Sequence, residues 1–236
     1  SVFLALCGIG VGLSGLRDGF AALKLKGREQ QGTLKPAISF SPIPSTVLIT
    51  GATGFIGQLL VKALIADGHR VIVLTRIVKT AAWNFSGQVL CISNLQELAA
   101  HTRVDTVINL AGARILGWRW SAKRKAQLLD SRVALTEQLI SWIARAEYKP
   151  QIFLSASAIG YYGIQPVGDN SELTESAPPQ AIFMSQLCQH WEAAAHKASQ
   201  YGVQEVCMRF GLVLGHQGAL PMLLLPIKLG LGGALG

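Results

Sequence analysis

Short apolar runs alternate with longer segments of helical periodicity from about residue 46 onward. Within the short runs the apolar residues follow one another without regular polar alternation, which is typical of strands buried on both faces of a sheet. Six runs predict strands, at residues 47–49, 69–75, 88–93, 105–110, 151–155 and 205–210. Helices are predicted after the first strand to about residue 67, over 121–147 and over 181–200. This alternation predicts an α/β fold with a doubly wound parallel sheet.

The first 45 residues do not follow this pattern. Residues 2–16 are nearly all apolar and are followed by basic residues up to Arg28. The run is shorter than the roughly 20 residues that span a bilayer, and a secretory signal would carry its charges before the apolar part. Two interpretations stay open: the end of a membrane helix with its basic flank on the cytoplasmic side, or an extra helix packed on the main domain.

A linker separates this segment from the rest of the chain. Residues 30–45 contain three prolines, which favour an extended backbone. We therefore expect an apolar and basic extension over residues 1–45 and one nucleotide-binding domain over residues 46–236. Membrane contact is expected, if at all, through residues 1–28.

Composition narrows the class of protein only slightly. Half of the 236 residues are hydrophobic, 14% are charged, and the formal net charge is +8. Such a charge suits phosphate-bearing ligands or an anionic surface, but solvated basic residues on helix faces are the preferred explanation for most of it.

The cysteines point away from metal binding and disulfides. Cys7, Cys91, Cys188 and Cys207 are scattered, and no two form a C-x-x-C pair. They are typical of reduced, buried thiols in a cytoplasmic protein. We expect no metal site.

A glycine-rich turn, TGATGFIG, lies between the first predicted strand and the first predicted helix. Its spacing is G-x-x-G-x-x-G, and without a Cβ the backbone N–H groups can approach a pyrophosphate closely. The helix that follows directs its partial positive charge at the phosphates. An ordinary βα turn would share the glycines, but the strand and helix favour a Rossmann-type dinucleotide site. The turn residues predicted to contact the cofactor are Gly51, Thr53, Gly54, Phe55, Ile56 and Gly57.

Arg76 predicts which dinucleotide is bound. In this fold the residue after the second strand meets the adenosine ribose, where a carboxylate suits NAD and an arginine suits the 2′-phosphate of NADP. No Asp or Glu occurs between Val71 and Ser86, so NADP is favoured over NAD. Further contacts are predicted by position alone: Asn94 and Leu95 for the adenine, and Leu110, Ala111 and Gly112 for close backbone approach.

A basic and aromatic cluster follows the fourth strand. Its members are Trp118, Trp120, Lys123, Arg124 and Lys125. Aromatic residues interleaved with cations can stack on bases, but this cluster is short and we expect no nucleic-acid binding. A loop over the crevice or contact with a membrane surface fits it better.

The combined motifs resemble a known family. Four segments are similar to extended short-chain dehydrogenases/reductases: TGATGFIG, NLAG at 109–112, SASAIGYYG at 155–163 and RFGLVLG at 209–215. Two more resemble the subgroup called epimerase family proteins: FMSQLCQHWE at 183–192 and LLPIKLGLGG at 224–233. The resemblance begins near residue 46 and implies an NAD(P)-dependent oxidoreductase or nucleoside-diphosphate-sugar epimerase with a small-molecule, nucleotide-linked substrate. Relatives continue beyond LGLGG, so a truncated C-terminal substrate lobe is expected.

The resemblance also implies catalytic residues, and here the chain departs from the family. Members use a serine, a tyrosine and a lysine, the last two as Y-x-x-x-K, and the tyrosine transfers a proton. Ser157 matches the serine, with Ser155 as a neighbouring candidate, but Phe183 and Leu187 occupy the tyrosine and lysine positions. Four residues could take over proton transfer: Tyr161, Tyr162, Ser185 and His190. Of these, we predict Tyr161 to be catalytic.

Two hypotheses follow from this departure. The favoured one is an NADP-dependent oxidoreductase or epimerase-like enzyme with an atypical active site. The alternative is a non-catalytic NAD(P)-binding sensor or assembly subunit. Arg132, where relatives often carry asparagine, presents positive charge to an acidic substrate in one interpretation and belongs to a salt-bridged surface in another.

Overall fold

The computed structural model describes residues 43–115, 120–215, 217–218 and 220–230. The chain divides into two units, 1–39 and 40–236, and these residues belong to the second. Most of the predicted extension, including the proposed membrane contact, lies outside the described residues, as do Cys7 and Trp118. Within the described ranges, every helix is too short or too polar to cross a bilayer.

Six parallel strands form one sheet, in the order β3-β2-β1-β4-β5-β6. All six apolar runs that predict strands are strands in the structure. Their bounds are β1 Thr46–Thr50, β2 Arg70–Leu74, β3 Leu90–Ile92, β4 Thr106–Asn109, β5 Ile152–Ala158 and β6 Gln204–Phe210. The order reverses between β1 and β4, and in doubly wound sheets ligands bind at the carboxyl ends of the strands at this point.

Helices cover both faces of the sheet. Their bounds are α1 Phe55–Ala66, α2 Val78–Asn84, α3 Ala122–Asp130, α4 Val133–Arg145, α5 Phe183–His196 and α6 Leu220–Lys228. Short 3-10 helices occur at Leu95–Glu97, Ile159–Tyr162 and Lys197–Tyr201. The architecture is therefore a Rossmann-type fold, as the alternation of strands and helices predicts.

Two hydrophobic cores lie on opposite faces of the sheet because successive strand residues point in opposite directions. Leu48 belongs to the core beneath α4 and α5, together with Val107 and Phe153. Its neighbours Val47 and Ile49 belong to the core beneath α1 and α2. A strand buried on both faces has few polar positions, which explains the apolar runs in the sequence.

The predicted helix over 121–147 is wrong in one respect: it is two helices, with a break at Ser131 and Arg132. Ser131 Oγ donates to the carbonyl oxygen of Leu128 at 3.1 Å, and Arg132 Nη1 donates to the same oxygen at 3.2 Å. Side chains that bond to nearby backbone carbonyls compete with the helical pattern, and they often bend or interrupt it.

Strand β5 is longer than predicted. It runs to Ala158 instead of ending at Ser155, because its pairing with β6 continues to the register Ala158↔Phe210. Ser157 is consequently part of the strand, opposite Arg209, and does not lie in a turn. The helix predicted to residue 200 ends as an α-helix at His196 and continues as a 3-10 helix.

Candidate functional site

A cleft of about 860 Å³ opens at the carboxyl ends of β1, β2 and β4. Its volume is in the range of pockets that hold cofactors and drug-sized ligands. The turn after β1 forms its centre, the ends of β2 and β3 form one side, and the end of β4 with the α3–α4 break forms the other. The cleft thus crosses the point where the strand order reverses.

The three glycines of the central turn meet different geometric requirements. Gly51 has φ of +69°, and a Cβ there would lie 2.6 Å from the carbonyl carbon of Leu110. A Cβ on Gly57 would collide with the carbonyl oxygen of Gly51. The N–H of Gly54 donates to that oxygen at 2.9 Å and closes the turn. The glycines therefore let β1, β4 and α1 approach one another at the centre of the cleft.

The N-terminus of α1 begins directly after this turn. Gly54 is its N-cap, no side chain of the described residues caps it, and its first turn contains no acidic residue. Free N–H groups and the helix dipole at such an end favour an anion. Gly51, Thr53 and Gly54 line the cleft, whereas Phe55, Ile56 and Gly57 start α1 and do not.

One side of the cleft contains the residues predicted to contact adenosine. Arg76 is exposed and lines the cleft after β2, and Asn94 and Leu95 line it after β3. The β3 loop is held in place by Glu97, whose Oε1 accepts from the Ser93 hydroxyl at 2.6 Å and from the Asn94 N–H at 3.0 Å. The Ser93 bonds chiefly hold the pKa of the Glu97 carboxyl below its ordinary value.

A buried polar chain fixes the opposite side of the cleft. Thr50 Oγ1 donates to Asn109 Oδ1 at 2.7 Å, and Asn109 Nδ2 donates to Thr136 Oγ1 at 2.9 Å. Thr136 Oγ1 in turn donates to the carbonyl oxygen of Arg132 at 2.7 Å, and Thr50 Oγ1 accepts from the Ala111 N–H at 3.2 Å. The ends of β1 and β4 are thereby joined to the start of α4. Sequence reasoning missed this chain; its signal was a polar residue, Asn109, ending an otherwise apolar strand.

Leu110, Ala111 and Gly112, which are predicted to lie close to the cofactor, follow β4 and line the cleft. Arg132 lies directly behind them: a Cβ on Gly112 would be 3.0 Å from its guanidinium carbon. Only 6% of Arg132 is exposed, which is inconsistent with a place on a salt-bridged surface.

The predicted catalytic residues Ser157 and Tyr161 contact a partly buried ion pair, and neither residue lines the cleft. Ser157 Oγ donates to Glu192 Oε1 at 2.5 Å. Arg209 donates to both oxygens of Glu192, from Nε and Nη2, each at 2.8 Å. The guanidinium carbon of Arg209 lies 3.5 Å from the ring centroid of Tyr161, and Nη1 donates to the hydroxyl of Tyr162 at 3.0 Å. Hydrogen bonding to Glu192 raises the pKa of Arg209.

Neither Glu192 nor Arg209 was a candidate in the sequence analysis. Both residues belong to motifs of the family, but they form an ion pair only because β6 lies beside β5, with Arg209 opposite Ser157. A sequence signal existed in the glutamate, since a carboxylate on the buried face of an apolar helix requires a partner.

The other catalytic candidates have structural contacts. Ser155 is fully buried, and its hydroxyl lies 3.4 Å from the carbonyl oxygen of Ala156. Ser185 Oγ bonds to the carbonyl oxygen of Tyr161 and accepts from the Gln180 N–H. His190 is exposed and bonds to a backbone carbonyl of its own helix.

Aromatic and apolar packing occupies the positions of the family's tyrosine and lysine. The Phe183 ring contacts the Trp120 ring edge-on, with centroids 5.5 Å apart, and Lys125 Nζ lies 5.0 Å from its centroid. Leu187 is 1% exposed. Part of the basic and aromatic cluster thus packs on α5, while Lys123 lines the cleft.

The thiols in the described part of the chain are unpaired. Cys91, Cys188 and Cys207 are free, and burial raises the pKa of each. Over the same residues, no three His, Cys, Asp or Glu side chains are grouped so that they could hold a metal ion.

Comparison with known proteins agrees with this geometry. The model of the NAD dependent epimerase/dehydratase family matches residues 47–227. The epimerase family protein YfhF of Bacillus subtilis is 35% identical over 194 residues, which are 80% of this chain and 62% of that protein. The chloroplastic SDR39U1 homolog of Arabidopsis thaliana is 38% identical over 200 residues, 81% of this chain and 56% of that protein.

Solved structures agree as well. The human epimerase family protein SDR39U1 (isoform 2), crystallised with NADPH, matches with a TM-score of 0.64 and 34% identity, over 80% of this chain and 61% of that one. A nucleoside-diphosphate sugar epimerase from Corynebacterium glutamicum matches with a TM-score of 0.64 and 28% identity, over 82% of this chain and 39% of that one. The chain therefore spans less than two thirds of the length of these relatives.

Proposed function

Since this chain belongs to the NAD dependent epimerase/dehydratase family, we propose that it binds NADP in the cleft and exchanges a hydride with a small-molecule substrate. The observation that best supports the proposal is which parts of the sheet the cleft connects. The cleft runs from Arg76, across the uncapped start of α1 at Gly54, to Gly112 on the far side of the strand reversal. A dinucleotide bound to a doubly wound sheet has this extent.

The lining residues suit the parts of an NADP molecule. The free backbone N–H groups at the start of α1, beside Gly51, Thr53 and Gly54, would hold the pyrophosphate, because the turn leaves room for it and α1 supplies a positive end. Arg76 would bind the 2′-phosphate, and Asn94 with Leu95 would contact the adenine. The residues after β4, Leu110 to Gly112, would lie beside the nicotinamide riboside. When bound, the cofactor supplies the hydride at nicotinamide C4.

The substrate class is inferred from the relatives. The name of the Corynebacterium glutamicum protein supports a nucleotide-linked sugar, and the family description supports epimerase or dehydratase chemistry. For proton transfer we propose Ser157, with Ser155 and Tyr161 as neighbouring candidates. Ser157 Oγ would accept the proton of a substrate hydroxyl as its own proton passes to Glu192, to which it already donates a hydrogen bond at 2.5 Å.

A second function has an observation in its favour. Phe183 has no proton to donate, and buried Leu187 has no charge with which to lower the pKa of a neighbouring group. With Ser157 bound to Glu192, the arrangement also suits a subunit that binds NADP as a sensor or assembly factor without turning it over.

Calorimetric titration of Arg76→Glu tests the cofactor assignment. The reversed charge should weaken NADPH binding about tenfold or more relative to NADH, since a charge-assisted bond to the 2′-phosphate is lost. Arg70→Glu is the matched control, because Arg70 is also exposed but starts β2 at the opposite edge of the sheet. Equal losses for NADPH and NADH would contradict the 2′-phosphate contact.

Turnover separates the two functions. The protein, supplied with NADP⁺, is incubated with a panel of UDP- and dTDP-sugars, and products are separated chromatographically. Interconversion that Ser157→Ala reduces about a hundredfold would support the enzyme, following the usual size of acid–base contributions. NADPH binding without conversion of any sugar would favour the binding subunit.

A further inference from the structure

Arg132 is a buried positive charge without a carboxylate partner among the described residues. Its Nη1 donates to the carbonyl oxygen of Leu128 at 3.2 Å and contacts Ser131 Oγ at 3.3 Å, and its Nη2 donates to the carbonyl oxygen of Ala113 at 3.0 Å. Its Nε has no hydrogen-bond partner within the described part of the chain. All these partners are neutral, so the charge itself is not compensated.

A second arginine that contacts α5 shows the contrast. Arg209 donates hydrogen bonds to both oxygens of the Glu192 carboxylate. That carboxylate therefore neutralises Arg209 and not Arg132. Arg132 instead lies over the ring of Trp191, with 5.2 Å from its guanidinium carbon to the ring centroid. A ring face attracts a cation but does not neutralise it. Burial of an uncompensated charge is costly, so such a residue usually serves a function.

Its position indicates which ligand the charge would affect. The guanidinium lies against Gly112, and Gly112, Ala113 and Ser131 line the cleft on the β4 side. A dinucleotide that crosses the strand reversal, with its adenosine near β2, extends its other nucleoside over this side. Arg132 thus stands behind the wall of the half that would receive the nicotinamide.

Burial also keeps this charge from being screened. It lowers the pKa of Arg132, with a smaller contribution from nearby Arg124, yet arginine stays protonated in proteins. Asp130, which also lines the cleft, is exposed to solvent and is therefore screened more strongly.

We propose that Arg132 makes the cleft prefer the reduced cofactor, NADPH, over NADP⁺. The inference rests on the proposed function. The oxidised nicotinamide ring carries a positive charge and the reduced ring is neutral, while the rest of the molecule is unchanged. A fixed cation near the ring therefore penalises only the oxidised form. Arg132 acts here through the field at the ring and through its hold on the Ala113 carbonyl, as a positioning residue.

Calorimetric titration with NADPH and NADP⁺ tests this proposal. For the native chain we expect NADPH to bind on the order of tenfold more tightly, the effect of one poorly screened charge at close range. Arg132→Met should reduce this ratio several-fold, and Arg132→Lys should largely retain it. Lys123→Met is the matched control: this exposed cation of the same cleft should change both affinities by a similar factor, leaving their ratio within about twofold.

The possible outcomes are distinct. Native protein that binds NADP⁺ as tightly as NADPH, or an unchanged ratio in folded Arg132→Met, would overturn the role of Arg132 while leaving NADP binding intact. Failure of both forms to bind would overturn the proposed function and this inference with it. Should thermal unfolding show that Arg132→Met does not fold, Arg132→Gln replaces it, since its amide can still donate toward the carbonyl oxygens of Leu128 and Ala113. An unchanged ratio in that variant would overturn the role of Arg132.

Discussion

In the turn after β1, some glycines are required for folding and others for ligand binding. Gly57 lacks space for a Cβ because the Gly51 carbonyl oxygen occupies it. Gly54 differs: its φ of −78° suits any residue, and a Cβ would approach the Gly51 oxygen to 3.1 Å, which is tight but tolerable after a small shift. Substitution at Gly57 should therefore affect folding, and substitution at Gly54 should affect binding.

Gly57→Ala should destabilise the protein by about 2–4 kcal/mol, because overpacking against backbone cannot be relieved by moving a side chain. Urea denaturation measures the change. Gly211→Ala is the control, since a Cβ there would have no neighbour within 4 Å, and its effect should stay within about 0.5 kcal/mol. Equal stability of the two variants would contradict the close approach of α1 to the turn.

Gly54→Val should abolish NADPH binding while the fold persists. A branched side chain at this lining position would fill the space that a pyrophosphate needs and obstruct the first N–H groups of α1. Titration with NADPH gives the affinity, and a native-like circular dichroism spectrum confirms folding. Retained affinity would remove the turn from the binding site.

At the scale of elements, Asp105 fastens the start of β4 to the start of β1. Its Oδ2 accepts from the Thr46 N–H at 2.8 Å, and its Oδ1 accepts from Arg103 Nε at 2.9 Å. Burial alone would raise the pKa of this carboxyl, but the bonds from Thr46 and Arg103 outweigh it and lower the pKa below its ordinary value. The ionised form is therefore favoured in the folded state.

Asp105→Asn should destabilise the protein by about 1 kcal/mol at pH 7, with a smaller difference from the native chain near pH 3. A carboxyl whose pKa is lowered by folding contributes stability above its unfolded value, about 3.9, and that contribution disappears as the pH falls through the folded pKa. Urea denaturation at both pH values measures it, with exposed Glu172→Gln as control. A constant difference across the range would mean that the charge of Asp105 contributes nothing.

The elements also show how far sequence reasoning extends. The six strands were predictable because parallel strands are buried on both faces, and the glycine turn because its spacing reflects backbone geometry. The break at Ser131 was not, since it depends on side chains bonding to Leu128 and Ala113. The pairing of Glu192 with Arg209 was not predictable either, because strand order brings these residues together and local pattern contains no such information.

For the whole molecule, a ligand in the cleft would tie both halves of the sheet together. β1, β2 and β3 form one half, β4, β5 and β6 form the other, and the cleft spans their junction. A ligand that binds only the folded state stabilises all of it by mass action, so cofactor binding should be visible in global unfolding.

NADPH at about 100 times its dissociation constant should stabilise the protein by about 2.7 kcal/mol, which corresponds to a rise in Tm of roughly 5–10 °C for a domain of this size. Differential scanning fluorimetry measures the shift. Arg76→Glu should need a higher NADPH concentration for the same rise. An unchanged Tm at saturating NADPH would show that the ligand does not favour the folded state.

The central position of β1 has a consequence for synthesis of the chain. β1 is made before its two neighbours, and its contacts with β4, such as that from Thr46 to Asp105, join residues 59 positions apart. At translation rates of about 5–20 residues per second, one edge of β1 stays unpaired for several seconds until β4 has been synthesised. During that interval a nascent chain exposes an unpaired apolar strand, the kind of surface that aggregates. We therefore expect the nascent chain to be most prone to aggregation, and to need ribosome-associated chaperones most, before residue 109 has emerged.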